Sequence, residues 1–145
     1  MTERNFDFLM PSVNFFGPGV ISKIGERAKT LGMHKPVIVT DKFLESLPDG
    51  AVAQVRRSLD AAGIDYVIYN QVEPNPKIHA VKALYQANQA DSLITIGGGS
   101  AHDTGKGAGI IMTNGDDITK LAGIETLKNA LPPLIEVNTT AGTGS

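Results

Sequence analysis

The sequence predicts an α/β fold, a parallel sheet covered by helices on both faces, and three observations lead there. Four short runs rich in β-branched residues, Val37–Thr40, Tyr66–Tyr69, Leu93–Ile96 and Leu134–Val137, have the length and composition of strands. Between them, apolar residues recur at helical spacing. The runs are too continuously apolar to face water and are joined by long crossovers, which is the pattern of a buried parallel sheet.

Each element has a local reason. Val13–Gly19 reads as an edge strand ending in a Gly-Pro turn, or equally as an extended arm. Val20, Ile21, Ile24, Ala28 and Leu31 mark the first helix, and Gly32 follows it where a C-cap belongs. Asp49 is expected to cap the next helix, marked by Val52, Val55, Leu59 and Ala62 and closed by Gly63. Pro74-Asn75-Pro76 is a rigid turn before a helix carrying Ile78, Val81, Leu84 and Tyr85. Leu93–Ile96 runs into Gly97-Gly98-Gly99-Ser100 and a helix over 101–112. The last run, Leu134–Val137, leads into Asn138-Thr139-Thr140-Ala141-Gly142-Thr143-Gly144-Ser145.

At 145 residues and 41% hydrophobic, the chain can bury one substantial core, so residues 1–145 are expected to form one domain. A formal charge of −2, from 13 basic and 15 acidic residues spread along the chain, favours neither nucleic acid nor an anionic membrane as a partner. There is no cysteine, and the opening MTERNFDFLM has charges where a signal peptide needs an apolar run, so a cytoplasmic protein is expected. No apolar stretch approaches the roughly 20 residues of a membrane span.

Ligands of open parallel sheets bind beyond the carboxyl ends of the strands, and three such places carry unusual chemistry. Gly97-Gly98-Gly99-Ser100 lets backbone approach a ligand closely, and the helix behind it offers N–H groups and the positive end of its dipole to a phosphate. The glycines read alternatively as a tight strand-to-helix turn, with Gly105 and Gly109 seating the helix on the sheet. Two familiar motifs fail on spacing. A dinucleotide fingerprint from Gly97 would need glycine at His102, and a P-loop ending at Gly105-Lys106 would need glycine at Ser100 and Ser or Thr at Gly107. A bound dinucleotide would therefore sit in a non-classical way.

Asp103 and Lys106 share a helix face; they either serve a bound phosphate and hydroxyl or form an ordinary ion pair. Asp41, ending the first run, suits an adenosine ribose diol and would repel a 2′-phosphate, favouring NAD over NADP; it suits a helix N-cap equally. Thr139, Thr140 and Thr143 bring hydroxyls and flexible backbone, or form a plain polar loop. His34, His79 and His102 each read as a lone surface histidine. They make no metal site, and no nucleophile–histidine–acid arrangement is present. The chain is expected to bind, with no catalytic residue and no metal ligand of its own.

Taken together, Phe15-Phe16-Gly17-Pro18-Gly19, Val39-Thr40-Asp41-Lys42, Glu73-Pro74-Asn75-Pro76, Gly97–Ser100 with Asp103 and Lys106, and Asn138–Ser145 resemble the iron-containing (type III) alcohol dehydrogenases. Met10–Gly17 and Ala122–Leu127 resemble the 1,3-propanediol and methanol dehydrogenase branch most. The resemblance implies a Rossmann-like, dehydroquinate-synthase-like domain. It also implies a following helical domain that binds iron or another divalent metal through one aspartate and three histidines, positions this chain does not reach. It implies NAD as cofactor, a small primary alcohol, diol or aldehyde as substrate, and a homo-oligomer. By the same resemblance Asp41 would meet the adenosine ribose, Asn75 and Pro76 would line the cleft, and Gly97, Gly98, Gly99 and Ser100 would cradle the pyrophosphate. Asp103 would lie near the nicotinamide with Lys106 behind the loop, and Thr139, Thr140 and Thr143 would close over the cofactor. A nucleotide-binding module without catalysis, or a related polyol or glycerol-phosphate dehydrogenase, is the alternative. The chain alone is expected not to oxidise alcohols.

Overall fold

The computed structural model describes residues 12–75, 77–117 and 127–142. The stretch Val13–Gly19 takes the arm form: it joins no strand, and Val13 and Phe16 stand 70% and 89% exposed. A 3₁₀ turn, Val20–Lys23, runs into α1 (Ile24–Thr30). There follow β1 (Pro36–Val39), α2 (Lys42–Ser46), α3 (Ala51–Ala61), β2 (Val67–Tyr69), α4 (Ile78–Ala87), β3 (Ser92–Gly97), α5 (Gly99–Asn114) and β4 (Leu134–Asn138).

The four strands form one parallel sheet in the order β2-β1-β3-β4, with Val37 between Val67 and Leu93, and Thr95 opposite Glu136. Both faces are covered, which is why the runs lack alternation. On one face Ile38, Ile94, Ile96 and Val137 pack with Ile24 and Ala28 of α1 and Val52, Val55 and Leu59 of α3. On the other, Val37, Val39, Tyr69 and Leu93 pack with Val81 of α4 and Ala108 of α5. Each of the large aliphatic side chains stabilises the fold by roughly 1.5–3 kcal/mol through removal from water.

Two helices end as their glycines predict. Gly32 and Gly63 adopt φ of 72° and 69°, and the next residues close the turn, Met33 N–H donating to Ala28 O and Ile64 N–H to Leu59 O. The expected cap at Asp49 is not there. A Leu47–Gly50 turn takes up that residue, the helix starts at Ala51 with Gly50 as its cap and no side-chain bond, and Asp49 instead meets Arg57 at 3.4 Å. The short α2 has too few residues to show a period; what makes it is the Asp41 carboxylate, which accepts the Leu44 N–H.

Candidate functional site

The strand order reverses beside β1: the chain moves outward to β2, then returns to place β3 on the other flank of β1. Such a switch point opens a crevice beyond the carboxyl ends of the two central strands, because the connections leaving them diverge. The loops after β1 and β3 border it here, and those after β2 and β4 flank it.

The glycine loop leaves β3 at Gly97, whose φ of 148° disfavours any side chain; a Cβ there would also lie 2.9 Å from that of Ala101 and 3.6 Å from Leu44 of α2. The loop after β1 is thereby in contact with the loop after β3. A Cβ on Gly98 would stand 3.3 Å from Thr140 Oγ1, and Thr139 N–H donates to Gly97 O at 2.9 Å. Gly98 caps α5 without a side chain. The helix ladder offers no acceptor to the N–H groups of Gly99 and Ser100, so they face outward as donors at the positive end of the dipole. Backbone donors at a helix N-terminus, with the Thr140 hydroxyl beside Gly98, are chemistry for an oxyanion.

Asp41 lies on the same rim, half-buried, with Oδ1 taken up by the Leu44 N–H at 2.8 Å. Among the described residues its Oδ2 accepts no hydrogen bond. Its segment is tied to the loop after β2, with Thr40 N–H donating to Tyr69 O, Val72 N–H to Thr40 O, and Asn70 Nδ2 to Glu45 Oε2 at 2.6 Å. Asn75 is exposed on that loop, two residues before Lys77, the cap of α4. The first residue of α4, Ile78, meets Gly107 of α5, since a Cβ at Gly107 would lie 2.9 Å from Ile78 Cγ2. The loop bearing Asn75 is therefore carried to the α5 side of the sheet.

The structure thus gathers Gly97, Gly98, Thr139 and Thr140, with Gly99 and Ser100 opening α5 and Asp41 adjoining through Leu44. Asp103 is exposed on α5, just past its first turn. Lys106 is turned elsewhere: among the described residues its ion pair is with Glu136 of β4 at 3.1 Å, not with Asp103. Pro76 and Thr143 lie outside the described residues, as do Met10, Pro11, Ala122–Thr126, Gly144 and Ser145.

One expectation is overturned. His102 is not on the surface; its side chain is 1% exposed, and Nδ1 lies 2.7 Å from Thr95 Oγ1. Each of the strand runs Leu93–Ile96 and Leu134–Val137 holds a single polar residue, Thr95 and Glu136, and these are register partners. His102 and Lys106 stand four apart on one helix face above them. One polar residue per apolar strand, facing an i,i+4 polar pair, is the pattern in the sequence that marks this buried contact. His34 and His79 are exposed. Among the described residues no three histidine, aspartate or glutamate side chains gather as a metal site, and no helix is long and apolar enough to cross a membrane.

Residues 11–145 match the family model for iron-containing alcohol dehydrogenase. The chain is 51% identical to the 1,3-propanediol dehydrogenase of Citrobacter freundii over 148 residues, covering 100% of this chain and 38% of that protein. It is 34% identical to the NAD-dependent methanol dehydrogenase of Bacillus methanolicus, over 96% of this chain and 37% of the relative. Among solved structures, an alcohol dehydrogenase from Oenococcus oeni superposes with a TM-score of 0.88 at 80% identity, over 97% of this chain and 37% of that one. The chain spans well under half the length of the relatives it matches.

Proposed function

The chain belongs to the iron-containing alcohol dehydrogenase family, and from that premise we propose that it is the NAD-binding part of an enzyme moving hydride between a small primary alcohol or diol and its aldehyde. The observation that carries this reading is the glycine loop at the N-terminus of α5, where Thr140 Oγ1 comes close to Gly98, Thr139 N–H holds Gly97 O, and the first-turn N–H groups of the helix are left as donors. It fits a pyrophosphate: two negative charges meet N–H groups and hydroxyls at a helix N-terminus. Asp41 is the group for the adenosine ribose, through its Oδ2, and its charge repels a 2′-phosphate. Asn75 borders the cleft on the α5 side, and Asp103 lies farther along the same helix toward the reacting end.

When bound, NAD supplies the hydride acceptor. The residues of this chain bind and orient it. The described residues do not fit the family's metal, since no set of ligands meets among them. The alcohol-binding groups and the metal are assigned to the remaining length of the family's proteins. The same reading extends to a cytoplasmic homo-oligomer, in which the exposed Val13 and Phe16 of the arm are apolar surface for a second copy to cover.

Calorimetric titration of the chain with NAD, NADP and ATP tests the reading. NAD is expected to bind, and NADP and ATP more weakly. Equal affinity for all three would remove the role given to Asp41, and no binding of any would remove the nucleotide site itself.

A further inference from the structure

Among the described residues, three buried side-chain polar atoms have no partner, Thr40 Oγ1, Tyr69 Oη and His102 Nε2. His102 is the one in the first turn of the helix that follows the glycine loop. Its Nδ1 lies 2.7 Å from Thr95 Oγ1. Glu136 Oε1 stands 3.8 Å from the same nitrogen and is itself held by Lys106. A buried nitrogen without a partner is unfavourable relative to an apolar side chain of similar volume, so burial alone is a poor reason for histidine here.

What leucine in that place could not supply is the bond to Thr95. Thr95 and His102 bracket Gly97–Ser100 in the chain, one on the strand before the loop and one on the helix after it. Three successive glycines have the largest conformational freedom of any tripeptide segment, and a bond between the loop's two ends restricts it. Thr95 is also the steric seat of α5: a Cβ on Gly105 would come within 2.2 Å of Thr95 Cγ2, so the helix backbone rests on that side chain. Its methyl fixes the distance of α5 from β3, and its hydroxyl fixes the first turn.

We propose that His102 is a positioning residue, which through Thr95 holds the glycine loop in the one shape that aims the Gly99 and Ser100 N–H groups at a phosphate. The proposal deepens the nucleotide-site reading above and rests on it for the identity of the ligand.

The test compares His102→Leu, Thr95→Val and His102→Asn with the unmodified chain by three measurements: melting temperature, NAD affinity by calorimetry, and amide hydrogen exchange over residues 98–103 without ligand. Positioning predicts that His102→Leu melts close to the original temperature, whereas Thr95→Val, which leaves both ring nitrogens of His102 without a partner, melts lower; both should bind NAD about tenfold more weakly and exchange about tenfold faster in the loop alone. His102→Asn, whose amide reaches Thr95, should restore both affinity and protection. In His102→Leu, melting temperature, affinity and protection falling together across the sheet would reduce His102 to a core residue and overturn the proposal, as would a loop whose exchange is unchanged. If the unmodified chain binds no NAD, the nucleotide reading fails, and the exchange measurement still decides the positioning role.

Discussion

The Asp41 carboxylate accepts the Leu44 N–H at 2.8 Å, so a single side chain both starts α2 and sits on the rim of the cleft beside Gly97. The two duties separate by substitution. Asp41→Asn keeps a capping oxygen and should change stability by under about 0.5 kcal/mol, whereas Asp41→Ala should cost about 1 kcal/mol in urea unfolding. Both remove the charge, so both should narrow the gap between NAD and NADP affinity in calorimetry. A variant that loses stability yet keeps full NAD preference would leave Asp41 as a cap alone.

Gly97→Ala places a methyl group 2.9 Å from Ala101 Cβ on backbone at φ 148°. The expected cost is roughly 1–3 kcal/mol by denaturant unfolding. Because the displaced residues are the first turn of α5, nucleotide binding should be lost even below the denaturation midpoint.

Lys106→Met breaks a partly exposed pair with Glu136, both side chains being about a third exposed at 35% and 30%. Such pairs contribute about 0–1 kcal/mol, so the melting temperature should hardly move. NAD affinity should change by less than about threefold, since the ammonium is turned to Glu136; a loss of ten times or more would return Lys106 to the phosphate.

Asp91 sits at the amino-terminal ends of the central strands β1 and β3, opposite the cleft. Its carboxylate accepts from the His34 and Lys35 N–H groups at 2.8 and 3.0 Å and from the Ser92 hydroxyl at 2.7 Å. Partial burial pushes its pKa up, but these bonds and the His34 ring outweigh it and hold the carboxyl below its ordinary 3.8. A folded value below the unfolded one means stability that is fully present above pH 3.8 and is lost as the pH falls through the folded value. Asp91→Asn should flatten that acid limb in urea unfolding measured across pH, and an unchanged limb would assign acid sensitivity to other carboxylates.

What could be read along the chain was what neighbouring residues decide among themselves. The four strand runs, the helix ends at Gly32 and Gly63, the glycine turn into α5 and the capping bond of Asp41 all depend on groups within a few residues, where period and cap chemistry act. Sites that need distant partners stayed hidden. The order β2-β1-β3-β4, which makes Asp41 and Gly97 neighbours, comes from packing both sheet faces at once. His102 looked like a surface residue because its burial depends on Thr95 and Glu136, and on Gly105 letting α5 settle on β3. Lys106, equally open along the chain to a phosphate or to Asp103, finds Glu136 instead, because β4 brings it beneath the helix. Strand register and helix seating are set by close packing between segments far apart in sequence, and a local pattern carries no record of which segment will arrive opposite.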